Sequence, residues 1–190
     1  HLTAPDTIKE KNYFFKLSKY EDKLKKLYAD HPDFVMPSDR FNEVKAFVDR
    51  WLDDFSISRE TNSFGIKLPF DESQVTYVWF DALFNYLTVC QNGNENFWPA
   101  DLHVVWKDII RFHAIYWPAM LMSTWYDLPK NILTTGFLTV DGQKISKSLG
   151  NVIDPVEFTQ NYPKDLLILY LFSAFNVGQD WKMVCKFSWA

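Results

Sequence analysis

Between residues 75 and 136, three short runs rich in β-branched and aromatic residues alternate with longer apolar stretches. The runs are VTYVWF (75–80), LHVVW (102–106) and NILTTG (131–136). Their length and composition predict strands buried on both faces. Asp81 is placed to cap a helix over ALFNYLTVC, and Ile109–Thr124 is apolar nearly all round, as a buried helix is. QNGNENFWPAD, with its Asn-Gly pair, reads as a loop. The order β-α-β-α-β with short connections predicts an α/β fold of parallel strands joined by right-handed crossovers. Ligands of such sheets sit beyond the carboxyl ends of the strands. Those ends are Trp79-Phe80-Asp81, Trp106-Lys107-Asp108 and Thr135-Gly136.

The flanks are helical. From Phe14 to Ala29, Leu17, Tyr20, Leu24 and Leu27 recur at spacings of three and four, predicting an amphipathic helix ended by His31-Pro32. A second helix is predicted over Arg40–Asp54, capped by Ser38-Asp39, with Val44, Phe47, Val48, Trp51 and Leu52 inward. The polar, turn-rich SISRETNSFGIKLPFDES is read as a domain boundary. Beyond residue 136, a hairpin turning at Asp141-Gly142 leads to a loop bounded by Gly142 and Gly150. A helix then opens with Asp154 at the N-cap, Pro155 at N1 and Glu157 at N3, and another is predicted over Asp165–Phe175.

Composition removes several function classes. The net charge of −4 argues against a generally basic surface that coats nucleic acid, while leaving room for a local basic site. Cys90 and Cys185 are far apart, so neither a zinc knuckle nor a disulfide framework is readable, which fits a reducing compartment. No stretch of about 18 apolar residues predicts a membrane span. The start carries no apolar signal-peptide core and no Met, and an excised or processed piece is expected. The motifs of dinucleotide-binding, P-loop, zinc-protease and α/β-hydrolase sites are absent.

The strongest chemical signal is Lys144-Ile-Ser-Lys-Ser148: two lysines three apart, beside the hydroxyls of Ser146 and Ser148, between glycines. Lysine is a point charge on a flexible stem, suited to phosphate oxygens whose charge rearranges as a pyrophosphate departs. A Lys/Ser pentamer by itself is more often a solvated loop. Lys107 at a strand end suits phosphate; Asp108 suits a ribose hydroxyl or an ammonium, or merely caps a helix. Arg59 suits a phosphate or carboxylate, though a surface ion pair is the commoner role. Ile109, His113 and Trp117 follow one another at intervals of four, and Trp79, Ala82 and Tyr86 share another face. They could line an apolar pocket for a thioether, or form a packed core with one satisfied histidine.

DGQKISKSLGN resembles the K-M-S-K-S signature of class I aminoacyl-tRNA synthetases, with Ile145 in the Met place. YVWFDALFNYLT (77–88), KDIIRFHAIYWPAMLM (107–122) and NYFFKLSKYEDKL (12–24) resemble the methionyl-tRNA synthetase family in order and spacing. The resemblance implies residues 58–140 as the second half of a Rossmann-like catalytic domain. Residues 1–57 would end a preceding connective-peptide insertion, and 141–190 would hold the lysine loop and start a helical stem-contact region. It implies methionine activation with ATP and Mg2+, then transfer to tRNA(Met), in the cytoplasm or, alternatively, the mitochondrion, with no membrane partner. Trp79, Ala82, Leu83, Tyr86, Ile109, His113 and Trp117 fall at methionine-binding positions. Lys107, Asp108, Gly136, Lys144, Ser146 and Lys147 fall at ATP-site positions. Lys144, Lys147, Asp108 and Arg59 would carry activation.

The family's H-x-G-H signature, its early Asp, its zinc-knuckle cysteines and its anticodon-binding domain have no counterpart in these residues. The chain alone is therefore expected to be inactive without an N-terminal partner half, and to hold no zinc. Trp106 stands in place of a Gly, Thr135 in place of a frequent His, and Trp181 in place of a Gly. These departures keep open a second reading, a non-catalytic domain that binds tRNA or methionine.

Overall fold

A computed structural model describes residues 9–140, 142–145, 150, 152, 154–174 and 176–183. β1 (Phe14–Phe15) runs into a 3₁₀ turn at Leu17–Tyr20 and α1 (Glu21–Asp30). The predicted first helix is thus shorter at its start, and its buried seam is Leu17, Leu24 and Tyr28. β2 (Val35–Met36) precedes α2 (Ser38–Asp49), which buries Phe41, Val44 and Val48. Trp51, expected inward, is 72% exposed, because the helix stops at Asp49 and residue 51 turns left-handed at φ 97°.

β3 (Phe55–Ser56) pairs antiparallel with β1. β4 (Ser58–Arg59), β5 (Lys67–Leu68) and β6 (Asp71–Thr76) form a separate antiparallel sheet, order β4-β6-β5. VTYVWF therefore is not a parallel strand. The strand ends at Thr76, and α3 spans Val78–Thr88. Phe80, Leu83, Phe84 and Leu87 set a helical spacing, and Asp81 sits in the first turn, favourable to the helix dipole.

β7 (Leu102–Trp106) leads through a 3₁₀ turn at Lys107–Ile109 and a π-helical stretch at Phe112–Tyr116 into α4 (Trp117–Thr124). β8 (Asn131–Thr135) follows. β7 and β2 flank β8, both parallel to it. Two of the three predicted parallel strands are present; the third is Val35–Met36, supplied from before α2.

Phe34, Val35, Leu24, Tyr28, Phe41 and Val48 share one buried core with Val105, Ile110, Ala114 and Ile132, so α1 and α2 pack on the strands that carry the sheet. A second cluster joins Leu83 and Leu87 of α3 to Trp117, Met120 and Leu121 of α4. The second cluster thus packs α3 against α4, next to the chain leaving β7.

β9 (Leu138–Val140) and β10 (Gln143–Lys144) make the predicted hairpin, with Gly142 at φ 79°. α5 (Pro155–Asn161) opens as expected: the Val156 N–H donates to Asp154 Oδ1 at 2.8 Å. α6 spans Lys164–Ala174. β11 (Trp181–Met183), in a tail given no structure from sequence, lies parallel to β9. None of the helices among the described residues is long and apolar enough to cross a membrane.

Candidate active site at the carboxyl end of the sheet

Where β7 ends, the chain tightens into the Lys107–Ile109 turn, so Lys107 and Asp108 project from the strand's carboxyl end. Lys144 arrives on β10 and places its Nζ 3.1 Å from Asp108 Oδ2. Both partners are about half exposed, and an ion pair so placed contributes only about 0–1 kcal/mol. An arriving anion can exchange with it at little cost. Phe137, between β8 and β9, lies beneath both ammonium groups: its ring centre is 3.7 Å from Lys144 Nζ and 4.7 Å from Lys107 Nζ.

Trp106, Asp108, Phe137, Leu138, Lys144 and Ile145 line a cleft of about 280 Å³. Trp106 forms one wall, stacked on Phe137 at 6.2 Å between ring centres. Gly136 serves the fold: a Cβ there would stand 2.0 Å from the Gln179 carbonyl oxygen. Ser146 and Lys147 lie outside the described residues.

The second constellation lies on facing helices. The Tyr86 hydroxyl from α3 is 2.7 Å from Nε2 of His113, and His113 Nδ1 is 3.0 Å from the Ile109 carbonyl oxygen. A carbonyl only accepts, so Nδ1 carries the proton and donates; Nε2 of the neutral ring then accepts from Tyr86. Burial holds His113 below its ordinary pKa and so favours the neutral ring, although the Ile109 bond acts the other way. Burial also raises the Tyr86 hydroxyl. Trp117 is fully buried, 6.0 Å from Tyr86 between ring centres. Trp79 stacks on Phe112 at 4.2 Å and 15°. Leu83 is buried among the α3–α4 contacts, Ile109 is half-buried against the main core, and Ala82 is exposed on α3. The cluster is uncharged and aromatic, with one internally satisfied polar pair.

Arg59 belongs to a different surface. Its guanidinium stacks 3.8 Å above Tyr77 and donates from Nη1 to Ser56 Oγ and to the Ser58 carbonyl, each at 2.7 Å. Arg59, Tyr77 and Asp81 line a cavity of about 660 Å³.

Sequence reasoning passed over four residues. Phe112 faces Trp79 and Phe137 underlies the lysines; neither has a motif of its own. His103, on β7, is buried 4.3 Å from the Tyr86 ring, and burial, then the nearby His113, pushes its pKa down to about 4. The signal was available, since His103 and Val105 alternate inward along the strand. Asp180, which carries no sequence signal of its own, ion-pairs with Lys107 at 2.7 Å. Among the described residues no cluster of His, Cys, Asp and Glu could hold a metal ion.

Residues 2–190 match the family model described as "tRNA synthetases class I (M)". The chain is similar to the methionine–tRNA ligase of Rhizobium meliloti (strain 1021), 47% identical over 184 residues, which cover 94% of this chain and 36% of the relative. It is also similar to that of Rickettsia conorii, 49% identical over 178 residues, covering 91% and 35%. Among solved structures, Mycobacterium tuberculosis methionyl-tRNA synthetase in complex with methionyl-adenylate superposes with a TM-score of 0.86 at 46% identity, over 93% of this chain and 36% of that one. The chain thus spans about a third of the length of the curated relatives it matches.

Proposed function

This chain belongs to the class I tRNA synthetases (M), and we propose that it forms the methionine-selecting and phosphate-facing part of a methionine–tRNA ligase. The observation that carries the reading is the neighbourhood of two sites on one short stretch of chain, residues 107–113. Asp108 lines the cleft with Lys144 and Lys107 lies over the Phe137 ring of its wall, while His113, five residues on, bonds the Ile109 carbonyl and Tyr86 in the neutral aromatic cluster.

In the proposed reaction the methionine carboxylate attacks the α-phosphorus of ATP and pyrophosphate leaves; a hydroxyl at the 3′ end of tRNA then attacks the carbonyl of the resulting methionyl-adenylate, and AMP leaves. ATP would arrive with Mg2+. Charge develops on the departing pyrophosphate, and Lys107 and Lys144 supply fixed positive charge there. Lys147 and Ser146 would join them from the following loop. Asp108 would accept from the methionine ammonium or a ribose hydroxyl, releasing Lys144 to phosphate. Tyr86, neutral His113, Trp117 and the Trp79–Phe112 stack suit a thioether, which is polarizable, uncharged and favoured against aromatic edges. A charged side chain would be penalised there by desolvation. Arg59 would act on substrate only after leaving its present partners.

The test is methionine-dependent ATP–pyrophosphate exchange by a graft in which this chain replaces the matching 184 residues of the Rhizobium meliloti relative. Exchange by the graft, with little or none from the 190 residues alone, supports the reading. A folded graft without exchange overturns it, and so leaves the non-catalytic reading.

A further inference from the structure

Asp180 is distant in sequence from the strand ends, yet its carboxylate closes on both. Oδ1 lies 2.7 Å from Lys107 Nζ and accepts the Phe137 N–H at 2.9 Å, while Oδ2 accepts from Lys107 Nζ at 2.8 Å. The next residue completes the hold on Phe137: the Trp181 N–H donates to the Phe137 carbonyl at 2.8 Å. Phe137 is the residue whose ring underlies Lys107 and Lys144.

The segment that delivers Asp180 is itself seated without slack. The Gln179 carbonyl occupies the space a side chain at residue 136 would need, so only glycine admits this approach. Gly178, at φ 85°, lies where a Cβ would stand 2.5 Å from Pro37 Cγ, and its carbonyl accepts from Arg40 Nη2 at 3.1 Å. β11 then locks onto β9. A surface ion pair needs none of this apparatus. Two chelating oxygens, a shared backbone donor and two close approaches fix the position of one ammonium group.

We propose that Asp180 is a positioning residue: it holds the Lys107 ammonium at a set place beside Lys144 so that an incoming polyphosphate meets both cations together. The proposal rests on the function inferred above. Without Asp180, Lys107 is a flexible side chain free to sample many rotamers, and displacements of about 1 Å cost reacting systems up to about a hundredfold in rate.

Asp180→Asn preserves shape and an acceptor for Phe137 but removes the charge and one acceptor for Lys107. In the graft, kcat for exchange is expected to fall by about tenfold or more, with KM for methionine within about twofold of the unsubstituted graft. In the same proteins, the rate at which an amine-reactive ester labels Lys107, read by peptide mass spectrometry, is expected to rise severalfold. Unchanged Lys107 labelling overturns the proposal, because then Asp180 does not hold the ammonium. Raised labelling with unchanged kcat overturns the positioning role. Equal losses in kcat and in methionine affinity mark a merely structural residue. Silence of the unsubstituted graft defeats the functional reading instead, and the labelling of Lys107 still decides whether Asp180 restrains it.

Discussion

Replacing Tyr28 by Phe isolates one hydrogen bond on which the helix carrying His113 depends. Tyr28, on α1, is buried and donates its hydroxyl to the Ala114 carbonyl at 2.7 Å. Ala114 is itself fully buried. Four residues on stands Pro118, which has no N–H, so the α-helical donor to that carbonyl is missing. The Tyr28 hydroxyl takes its place at the π-helical stretch that holds His113. Phenylalanine would keep the edge-on contact with Phe41 (5.3 Å) and the stacked one with Phe34 (6.2 Å), so the hydroxyl alone is lost. A buried acceptor left unpaired costs about 1–3 kcal/mol. Taking about 2 kcal/mol, the melting temperature should drop by about 4–8 °C for a chain of this size. Tyr126→Phe, at a half-exposed ring, serves as the control and should stay within about 0.5 kcal/mol. Thermal and denaturant unfolding of the two variants checks this. If Tyr28→Phe is as stable as the control, the hydroxyl does not compensate for the missing donor and the reasoning fails.

Two further predictions concern the buried rings. His103, with a folded pKa of about 4, and His113, also lowered by burial, stay neutral in the folded chain, while the unfolded chain protonates them below the ordinary value of 6.5. Stability is therefore at its full value above about pH 6.5 and is lost as pH falls below it, for His103 down to about pH 4 at up to about 1.4 kcal/mol per pH unit, with His113 adding to the loss in the same direction. Denaturant unfolding across that window should show the decline, and His103→Leu should flatten it; an unchanged slope in that variant would contradict the assignment. Tyr86→Phe strips His113 Nε2 of its donor and should raise KM for methionine in the graft by about tenfold, equivalent to about 1.4 kcal/mol, with kcat little altered. A methionine KM equal to that of the unsubstituted graft would remove the Tyr86–His113 pair from the selecting cluster.

The readable parts of the fold are those where local signals act alone. The Asp154 cap, the hairpin around Gly142 and the strands LHVVW and NILTT each follow from residue type and period within a few positions. Val35–Met36 does not, because a two-residue strand has no period, and its place beside β8 is fixed by the shared core. VTYVWF misleads because β-branched residues end a strand and aromatic residues begin a helix with no breaker between them; the spacing of Phe80, Leu83, Phe84 and Leu87 outweighs propensity. Trp51 follows the helical period of its neighbours but falls just past the helix end, so periodicity pointed it inward and the turn points it out.

In the site, Lys107, Asp108 and Lys144 were legible as residues beside a strand end and a glycine-bounded loop; Asp108 and Lys144 do meet at one cleft, and Lys107 lies over the Phe137 ring that walls it. Asp180 was not, since its bonds span 73 and 43 positions in the chain. The pairing of Tyr86 with His113 required two helices to face each other, which spacing within either helix cannot reveal.

The most direct test of the central claim is the amino-acid selectivity of ATP–pyrophosphate exchange by the graft, measured with methionine, leucine, isoleucine, valine and cysteine in turn. Exchange with methionine and near-background rates with the other four are predicted, because the neutral aromatic cluster around His113 belongs to this chain. Comparable or faster exchange with any of the four, or none with methionine from a folded graft, would contradict the account.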